Sequence, residues 1–455
     1  MNIKDIFKII WRWFMSNRRV NVGIVGYGTV GKGTVNVLID NANVIKEKTG
    51  IDIFVKSVAD LKINEFDDQF LRQVPNKYTD ANMIINDPYI DIVVELIGGY
   101  NAAKKVILDA IEKQKHVVTA NKALLAVYGT EIFKKAEEKS VQLGFEGSVG
   151  GGIPIIKVLK EDLAANNVKE IYGIINGTAN YILTRMEKEG KEFDEVLKDA
   201  QRLGYAEADP TFDIEGIDTA HKITILSSIA FNTIIPFDKV FVEGISSIKQ
   251  VDIDFAKKLN CKIKLLAIAK KHENDIEVRV HPTMIPERYI LSKVENVFNA
   301  IYLVSDKLDR TIHYGRGAGG LPTGSAVAGD IISIARDIVC GCQKRVPVLG
   351  FTKEYRSYFP VKNIDDIRSS FYLRFMALDK PGVLSKIAGV LGKYNISISA
   401  AIQPGDYSPG DVVPLVFMTH ETIGRYVSDA VREIDSMDYV KSKTVVIRVE
   451  GAHRS

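Results

Sequence analysis

Between residues 204 and 222 the chain reads GYAEADPTFDIEGIDTAHK, with Glu207, Asp209, Asp213, Glu215 and Asp218 all inside twelve residues. Carboxylates this close repel one another unless a cation is near. A calcium loop is excluded, because the D-x-[DN]-x-[DN]-G spacing and the glutamate at the twelfth position are missing. Two readings stay open: a solvated acidic loop, or a site for a cationic substrate group with Lys222 as partner. Asp218 and Lys222 are four residues apart and so neighbours on one helix face. Ile223, Ile225, Leu226 and Ile229 make that helix largely apolar, and a lysine at the start of a buried helix needs a reason.

The second chemical signal is VNVGIVGYGTVGKGTVNVLID. It contains Gly26, Tyr27, Gly28, Thr29, Val30 and Gly31 as a G-x-G-x-x-G after a short apolar strand and before a helical pattern. That context suits a dinucleotide. Gly26 permits the tight turn, Gly28 lets the backbone approach a pyrophosphate, and Gly31 lets helix pack on strand. The helix N-terminus then faces the phosphates. A second strand, residues 53–59, ends at Asp60, which suits a ribose hydroxyl and so NAD. It comes about 30 residues after the glycines rather than ~20, and an insertion at 41–49 accounts for the delay. Lys56 and Lys62 keep a 2′-phosphate open, so NAD and NADP both remain.

Elements follow from these positions. Apolar runs at 91–97, 116–119 and 141–146 alternate with helical patterns, which argues for a parallel sheet. Gly98, Lys122 and Glu146 then sit at strand carboxyl ends, where such sheets bind ligands. After Pro154 a helix is expected at 153–163 and a strand at 168–175 that closes on Asn176, Gly177 and Thr178. Further helices are expected at 179–189, 193–203 and 216–231. Residues 261–270 and 276–284 alternate like two antiparallel strands around the turn 272–275. A second glycine-rich loop, GRGAGGLPT at 315–323, precedes a helix at 325–339; a return to the first domain would bring it near the nucleotide. The Cys340-Gly341-Cys342 triplet reads as incidental. From 371 onward the order strand, helix, strand, strand, helix, strand is complete in about 80 residues, and no nucleophile or metal cluster accompanies it. A binding or regulatory module is expected.

The fold class is therefore α/β: a Rossmann-type nucleotide domain (20–150), an α+β substrate and dimerisation domain (151–320), a return segment (321–345), a linker (346–369) and a βαββαβ module (370–455). Residues 1–19 form an extension that holds both tryptophans, Trp11 and Trp13. Its apolar run is interrupted by Lys8 and Arg12 and is too short to span a membrane. No cleavable signal follows it. A frayed segment is expected there, with Met15 as an alternative start and a basic surface helix as the other reading. Sixty basic and 57 acidic residues leave a net charge of +3, which gives no nucleic-acid signature. Three cysteines cannot form a disulfide scaffold and suggest a reducing compartment, hence a cytoplasmic protein.

The segments GYGTVG, TANK, EGSVGGGIP, NGTANYIL, GYAEADPTFDIEGIDTAHK and GRGAGGLPTGSAVAGD, in this order over about residues 20–345, resemble homoserine dehydrogenase. The segment DKPGVLSKIAGVLGKYNISI resembles an ACT domain, as longer family members carry. The resemblance implies NAD(P)-dependent interconversion of homoserine and aspartate 4-semialdehyde, on the route to threonine and methionine. By motif position, Lys222 matches the lysine that handles the alcohol proton and Asp218 its supporting carboxylate. Glu207 matches the residue that binds substrate through its ammonium, and Asp213 with Asn176, Gly177 and Thr178 matches other pocket positions. Lys122 matches a lysine associated with cofactor or substrate. Gly317, Ala318 and Gly319 belong with the nucleotide. Glu146, with the carbonyls of Val149, Gly151 and Ile153, matches a monovalent-cation site, usually sodium. Many members carry an arginine where this chain has Ala59, which weakens a claim for NADP. The resemblance also implies a homodimer or homotetramer, and feedback by an amino acid, threonine first, bound near residues 382–393 and the following strand. A non-catalytic nucleotide sensor and a dehydrogenase of another small amino acid stand as alternatives.

Overall fold

The computed structural model describes residues 19–343, 345–403 and 407–451. Apart from Arg19, which opens the first strand, the expected N-terminal extension and its tryptophans lie outside the described residues. The chain forms two compact units. One comprises the residues up to Lys169, His221–Asp238 and Asn299–Tyr358; the other comprises Glu170–Ala220, Lys239–Phe298 and the residues from Phe359 onward.

The first unit is built on a six-stranded sheet. In chain order its strands are Arg19–Val25, Asp52–Ala59, Asn76–Tyr78, Ile92–Glu95, His116–Thr119 and Leu143–Gly144. In space they lie 3-2-1-4-5-6, all parallel. This is the doubly wound order, and its crevice opens where strands one and four diverge. Ile92–Glu95 and His116–Thr119 are buried at every position, as central strands covered on both faces must be. The insertion at 41–49 forms a helix, Ala42–Thr49, closed by Gly50 at φ 72°. It adds chain between the glycine loop and Asp60 without disturbing the strand pairing.

Two stretches depart from expectation. Residues 141–146 pair only over Leu143–Gly144; the chain then leaves the ladder, and the Glu146 N–H donates to Asp330 at 2.7 Å. The helix expected at 153–163 contains a π-helical turn, Val158–Asp162. The return segment is a long helix, Gly320–Cys340, packed on Thr29–Asp40. Their backbones meet at glycines: a Cβ on Gly33 would lie 2.0 Å from the Gly320 carbonyl oxygen. Val35, Leu38, Val327, Ile331 and Ile334 seal the same contact in one apolar cluster.

In the second unit the expected hairpin is Cys261–Lys271 with Ile276–Pro286, antiparallel, with Ile276 facing Lys271. Val168–Ile174 adds to it through Glu170–Gly173. The C-terminal module is Arg368–Leu378, Val383–Lys393, Ile398–Ile402, Val412–Thr419, Gly424–Asp435 and Val445–Val449. Its four strands lie 4-1-3-2, the ferredoxin-like arrangement, over a core that includes Phe371, Phe375 and Phe417. The last strand begins at Val445, and Val440 makes an isolated bridge to Ala377. That last strand also pairs in parallel with Ile276–Pro286 (Thr283 with Arg448, Met284 with Val449). The module therefore continues the sheet of that hairpin. Among the described residues no helix is long and apolar enough to cross a membrane.

Candidate active site

The glycine loop sits at the sheet's switch point, where the Gly26 N–H donates to Ala59 and the Leu96 N–H to Val25. Gly26 has φ 101°, and a Cβ there would lie 2.5 Å from the Leu96 carbonyl carbon; one on Gly31 would lie 2.1 Å from the Gly26 oxygen. A Cβ on Gly28 would meet nothing within 4 Å. Gly28 is the N-cap of Thr29–Asp40, and no side chain caps that helix. The open approach, the uncapped first turn and the positive end of the helix dipole suit a pyrophosphate. Tyr27 points inward, fully buried, with its hydroxyl donating to Asp68 at 2.8 Å. Burial, and then the Asp68 bond, raise its pKa. Its side chain holds the loop and does not face the crevice. Asp60 accepts from the Tyr27 N–H at 2.7 Å and the Lys62 N–H at 2.9 Å, which fixes a carboxylate beside the glycine loop.

Glu95, at the end of strand Ile92–Glu95, went unrecognised in the sequence. It is fully buried. It accepts from the N–H groups of Ile97 (2.8 Å) and Gly98 (3.1 Å) and from the Thr119 hydroxyl (2.7 Å). Burial outweighs these bonds and pushes its pKa up. Glu95 thus ties the Gly98 turn to the TANK strand. Asn121 continues the link by donating to the Gly99 carbonyl at 2.7 Å, while its own oxygen caps the helix Lys122–Lys139. Lys122, half-buried, stands at that helix's first position.

The Glu146 loop differs from what a side-chain ligand would need. The buried Glu146 carboxylate accepts from three backbone N–H groups, those of Ile155 (2.7 Å), Ile156 (2.8 Å) and Lys157 (2.9 Å). Burial, and then the neighbouring Asp330, raise its pKa. Its oxygens are spent on starting the next helix, so a cation here would be held by main-chain carbonyls. The 149–153 loop suits that, because Gly150 and Gly151 have φ of 73° and 56°, which reverses the direction of successive peptides. Gly151 lies against Gly317, where a Cβ would be 2.5 Å from the Gly317 carbonyl carbon. The 149–153 loop and the second glycine loop therefore touch. Beside Gly317, Asn299 is 1% exposed and neither atom of its amide has a hydrogen-bond partner. Neutral oxygens and an orphaned amide fit a monovalent cation. Lys157 reinforces Asp330 at 3.2 Å; both were also missed, Asp330 because it reaches the Glu146 N–H from 184 residues away.

In the second unit the acidic stretch is organised by Asn176. One amide nitrogen donates to Asp213 at 2.7 Å and to Asp218 at 2.9 Å. Its oxygen caps the helix Gly177–Glu189 through the Ala179 N–H. The repulsion expected among the carboxylates is thus relieved at two of them by a neutral donor. Thr178 donates to the Tyr205 carbonyl at 2.9 Å, and Gly177 lies against Val297, whose carbonyl would be 3.1 Å from an added Cβ. Glu207 is exposed, and Asp209 is turned back on Thr211. The helix Ile217–Ala230 carries Asp218 near its start and Lys222 one turn later; both are buried, at 6% and 7% exposed.

Comparisons with known proteins agree over about 95% of the chain. A family model described as homoserine dehydrogenase, NAD binding domain, matches residues 26–146; one described as homoserine dehydrogenase matches 154–332; an ACT domain model matches 371–436. A homoserine dehydrogenase of Neisseria gonorrhoeae is 45% identical over 95% of this chain and 99% of its own length. The crystal structure of a homoserine dehydrogenase from Thiobacillus denitrificans superposes with a TM-score of 0.90 at 44% identity, covering 95% of this chain and 98% of that one. A hyperthermophilic archaeal homoserine dehydrogenase mutant in complex with NADPH has a TM-score of 0.58 at 28% identity over 69% of this chain and 97% of that one. With a nucleotide crevice, an ordered acidic pocket and a buried lysine, and relatives aligned nearly end to end, the chain belongs to the homoserine dehydrogenase family, the NAD(P)-dependent oxidoreductases of the homoserine alcohol, in the form that carries a C-terminal ACT domain.

Proposed function

We propose the following division of labour for the family's reaction in this chain. Lys222 takes the hydroxyl proton of homoserine, and returns it to the carbonyl oxygen in the biosynthetic direction. Asp218 holds Lys222 in place. Glu207 and Asp213 receive the substrate ammonium, with Asn176, Gly177 and Thr178 shaping the pocket. Gly26, Tyr27, Gly28, Thr29, Val30 and Gly31 line the pyrophosphate through main-chain atoms, Gly98 and Gly317, Ala318 and Gly319 border the nucleotide, and Lys122 serves cofactor or substrate from its helix start. When bound, the nicotinamide accepts or supplies the hydride. The observation that carries this reading is the Asn176 amide bonded to Asp213 and Asp218, with Lys222 buried one turn beyond. It gives the acidic stretch a built interior, which a solvated loop would lack.

Asp60 and Ala59 favour NAD: a fixed carboxylate repels a 2′-phosphate, and no arginine stands beside it to accept one. The carbonyls of Glu146, Val149, Gly151 and Ile153 hold a monovalent cation, sodium first. The enzyme works in the cytoplasm, where Cys261, Cys340 and Cys342 stay as free thiols. It assembles as a homodimer or homotetramer, and an amino acid, threonine first, regulates it through the ACT domain. Initial rates with NAD and NADP on homoserine test the cofactor assignment. NAD is expected to give the higher kcat/KM, and Ala59→Arg to shift the ratio toward NADP by about tenfold (1.4 kcal/mol). A wild-type preference for NADP would remove it. Tight nucleotide binding without turnover on homoserine or aspartate semialdehyde would instead favour a sensor.

A further inference from the structure

A cavity of about 240 Å³ lies within the first unit, beside the edge strand Leu143–Gly144. It is walled by the end of the helix Lys122–Lys139, the π-helical turn Val158–Asp162, the helix Gly320–Cys340 and residues 345–348. Lys160 lines it from the π-helical turn, a distortion that often marks functional positions. The Lys160 stem is packed under Gly350, where an added Cβ would lie 3.0 Å from Cγ, and the ammonium faces the Phe145 ring at 5.3 Å. The other described cations on the wall are committed: Lys157 to Asp330 at 3.2 Å, Arg345 to Glu161 at 2.7 Å and to Asp337 at 3.2 Å. Among the described residues, no hydrogen bond or ion pair engages the Lys160 ammonium. Two acceptors on the same walls are also unmet: Glu137 Oε2 and Gln142 Oε1 are buried without a hydrogen-bond partner, which is costly unless a ligand or water supplies the donor. Burial draws the Lys160 pKa down to about 8, against the opposing pull of Asp330, Glu161 and Glu146 and with that of Lys157. About a tenth of such an amine is neutral at pH 7, where an ordinary lysine is neutral about once in 3,000.

We propose that Lys160 is a covalent site for a small aldehyde that also carries hydrogen-bond donors, and that the adduct slows turnover. The aldehyde at hand is the one that the family's reaction interconverts with homoserine, so the site senses its accumulation. The neutral Nζ adds its electron pair to the aldehyde carbon, and one proton passes from the nitrogen to the former carbonyl oxygen. That oxygen leaves as water with the second nitrogen-bound proton, and an imine remains; no oxidant or reductant is consumed. The ligand's ammonium donates to Glu137 and Gln142. A net anion is disfavoured, because Glu137, Glu161, Asp330 and Asp337 all border the cavity.

The position couples the adduct to the 149–153 loop. The Lys157 N–H, just before the π-helical turn, donates to the Glu146 carboxylate at 2.9 Å. Asp330, on the facing wall, accepts from the Glu146 N–H at 2.7 Å. An adduct wedged between the turn and that helix therefore bears on both anchors of Glu146, the residue from which the loop departs.

The test is incubation of the full-length protein with aspartate 4-semialdehyde and sodium cyanoborohydride at pH 7, without nucleotide, followed by peptide mass mapping. The reductant fixes the imine as a stable secondary amine, and butyraldehyde, which has no donor group, is the comparator. Lys160 is expected to be labelled at least tenfold faster than the exposed Lys46 and Lys198, with the semialdehyde at least fivefold ahead of butyraldehyde. Glu137→Ala is expected to abolish that preference while butyraldehyde labelling stands. The Lys160 rate should climb from pH 6 and level above about pH 8, where an ordinary lysine goes on climbing. Homoserine turnover should fall in step with Lys160 labelling in the wild type, and Lys160→Arg and Lys160→Met should keep their turnover through the same treatment. Lys160 labelled no faster than Lys46 and Lys198 would overturn the site. Equal labelling by butyraldehyde, or a preference that survives Glu137→Ala, would overturn the donor-bearing class. Full turnover in the labelled wild type, or an equal loss in both Lys160 variants, would overturn the effect on turnover.

Discussion

Asn176 concentrates several demands on one side chain. It caps a helix, and its single amide nitrogen serves two carboxylates 37 and 42 residues away. Asn176→Ala should lower kcat/KM about 10- to 100-fold, the scale of one to two lost hydrogen bonds to charged groups, and cost about 1 kcal/mol of stability as a lost cap. Asn176→Asp separates the two roles. It keeps the cap acceptor but cannot donate at neutral pH, and it adds a third carboxylate. Melting near wild type with activity as low as the alanine variant is expected. Full activity in Asn176→Asp would show that the bridge does not matter. The motif NGTANYIL made this residue visible in the sequence, but as a pocket position only. Glu95, Asp330 and Asn299 carried no such signal. Their partners lie on other strands and helices, and the demand they meet is visible only once burial removes water from them.

Among the elements, the strand Ile276–Pro286 carries a buried network of ion pairs. Arg279, fully buried, donates to Glu450 at 2.6 Å and to Glu277 at 3.3 Å, and Lys270 reaches Glu450 at 2.9 Å. Burial alone would raise the Glu450 pKa, but Arg279 and Lys270 prevail and hold it below the ordinary carboxyl range. Arg279→Met leaves Glu450 without its closest partner and should destabilise by about 3–5 kcal/mol in denaturant unfolding; a loss under 1 kcal/mol would mean the pair is solvated. His281, on the same strand, is buried among Arg279, Arg448 and Lys270. Burial first, and then these cations, depress its pKa well below 6.5. The unfolded chain therefore takes up a proton near pH 6.5 that the folded one refuses. The stability this gives is complete above pH 6.5 and drains as pH falls toward the depressed value. His281→Gln should flatten the stability profile between pH 7 and 5, and an unchanged slope would exclude His281 as its source. Alternation in CKIKLLAIAK and IEVRVHPTMI was enough to reveal the hairpin. It could not reveal that Val445–Val449 joins the same sheet, because that pairing spans about 165 residues and its hydrophobic pattern fits either an edge or an interior strand.

For the whole molecule, the doubly wound sheet and the ferredoxin-like module were legible because each is set by local order: alternating strand and helix, short turns, and a glycine loop whose three glycines meet three different steric demands. The division into two units was not, since each of them is assembled from three separate segments. The central claim is that the family's reaction runs on Lys222. The direct measurement is Lys222→Ala, with steady-state turnover of homoserine and NAD affinity by calorimetric titration on the same preparation. The account predicts kcat lower by about 10²–10⁴-fold, the usual worth of a positioned acid or base, with NAD affinity within about twofold of wild type. Near-wild-type kcat with unchanged NAD affinity would contradict it.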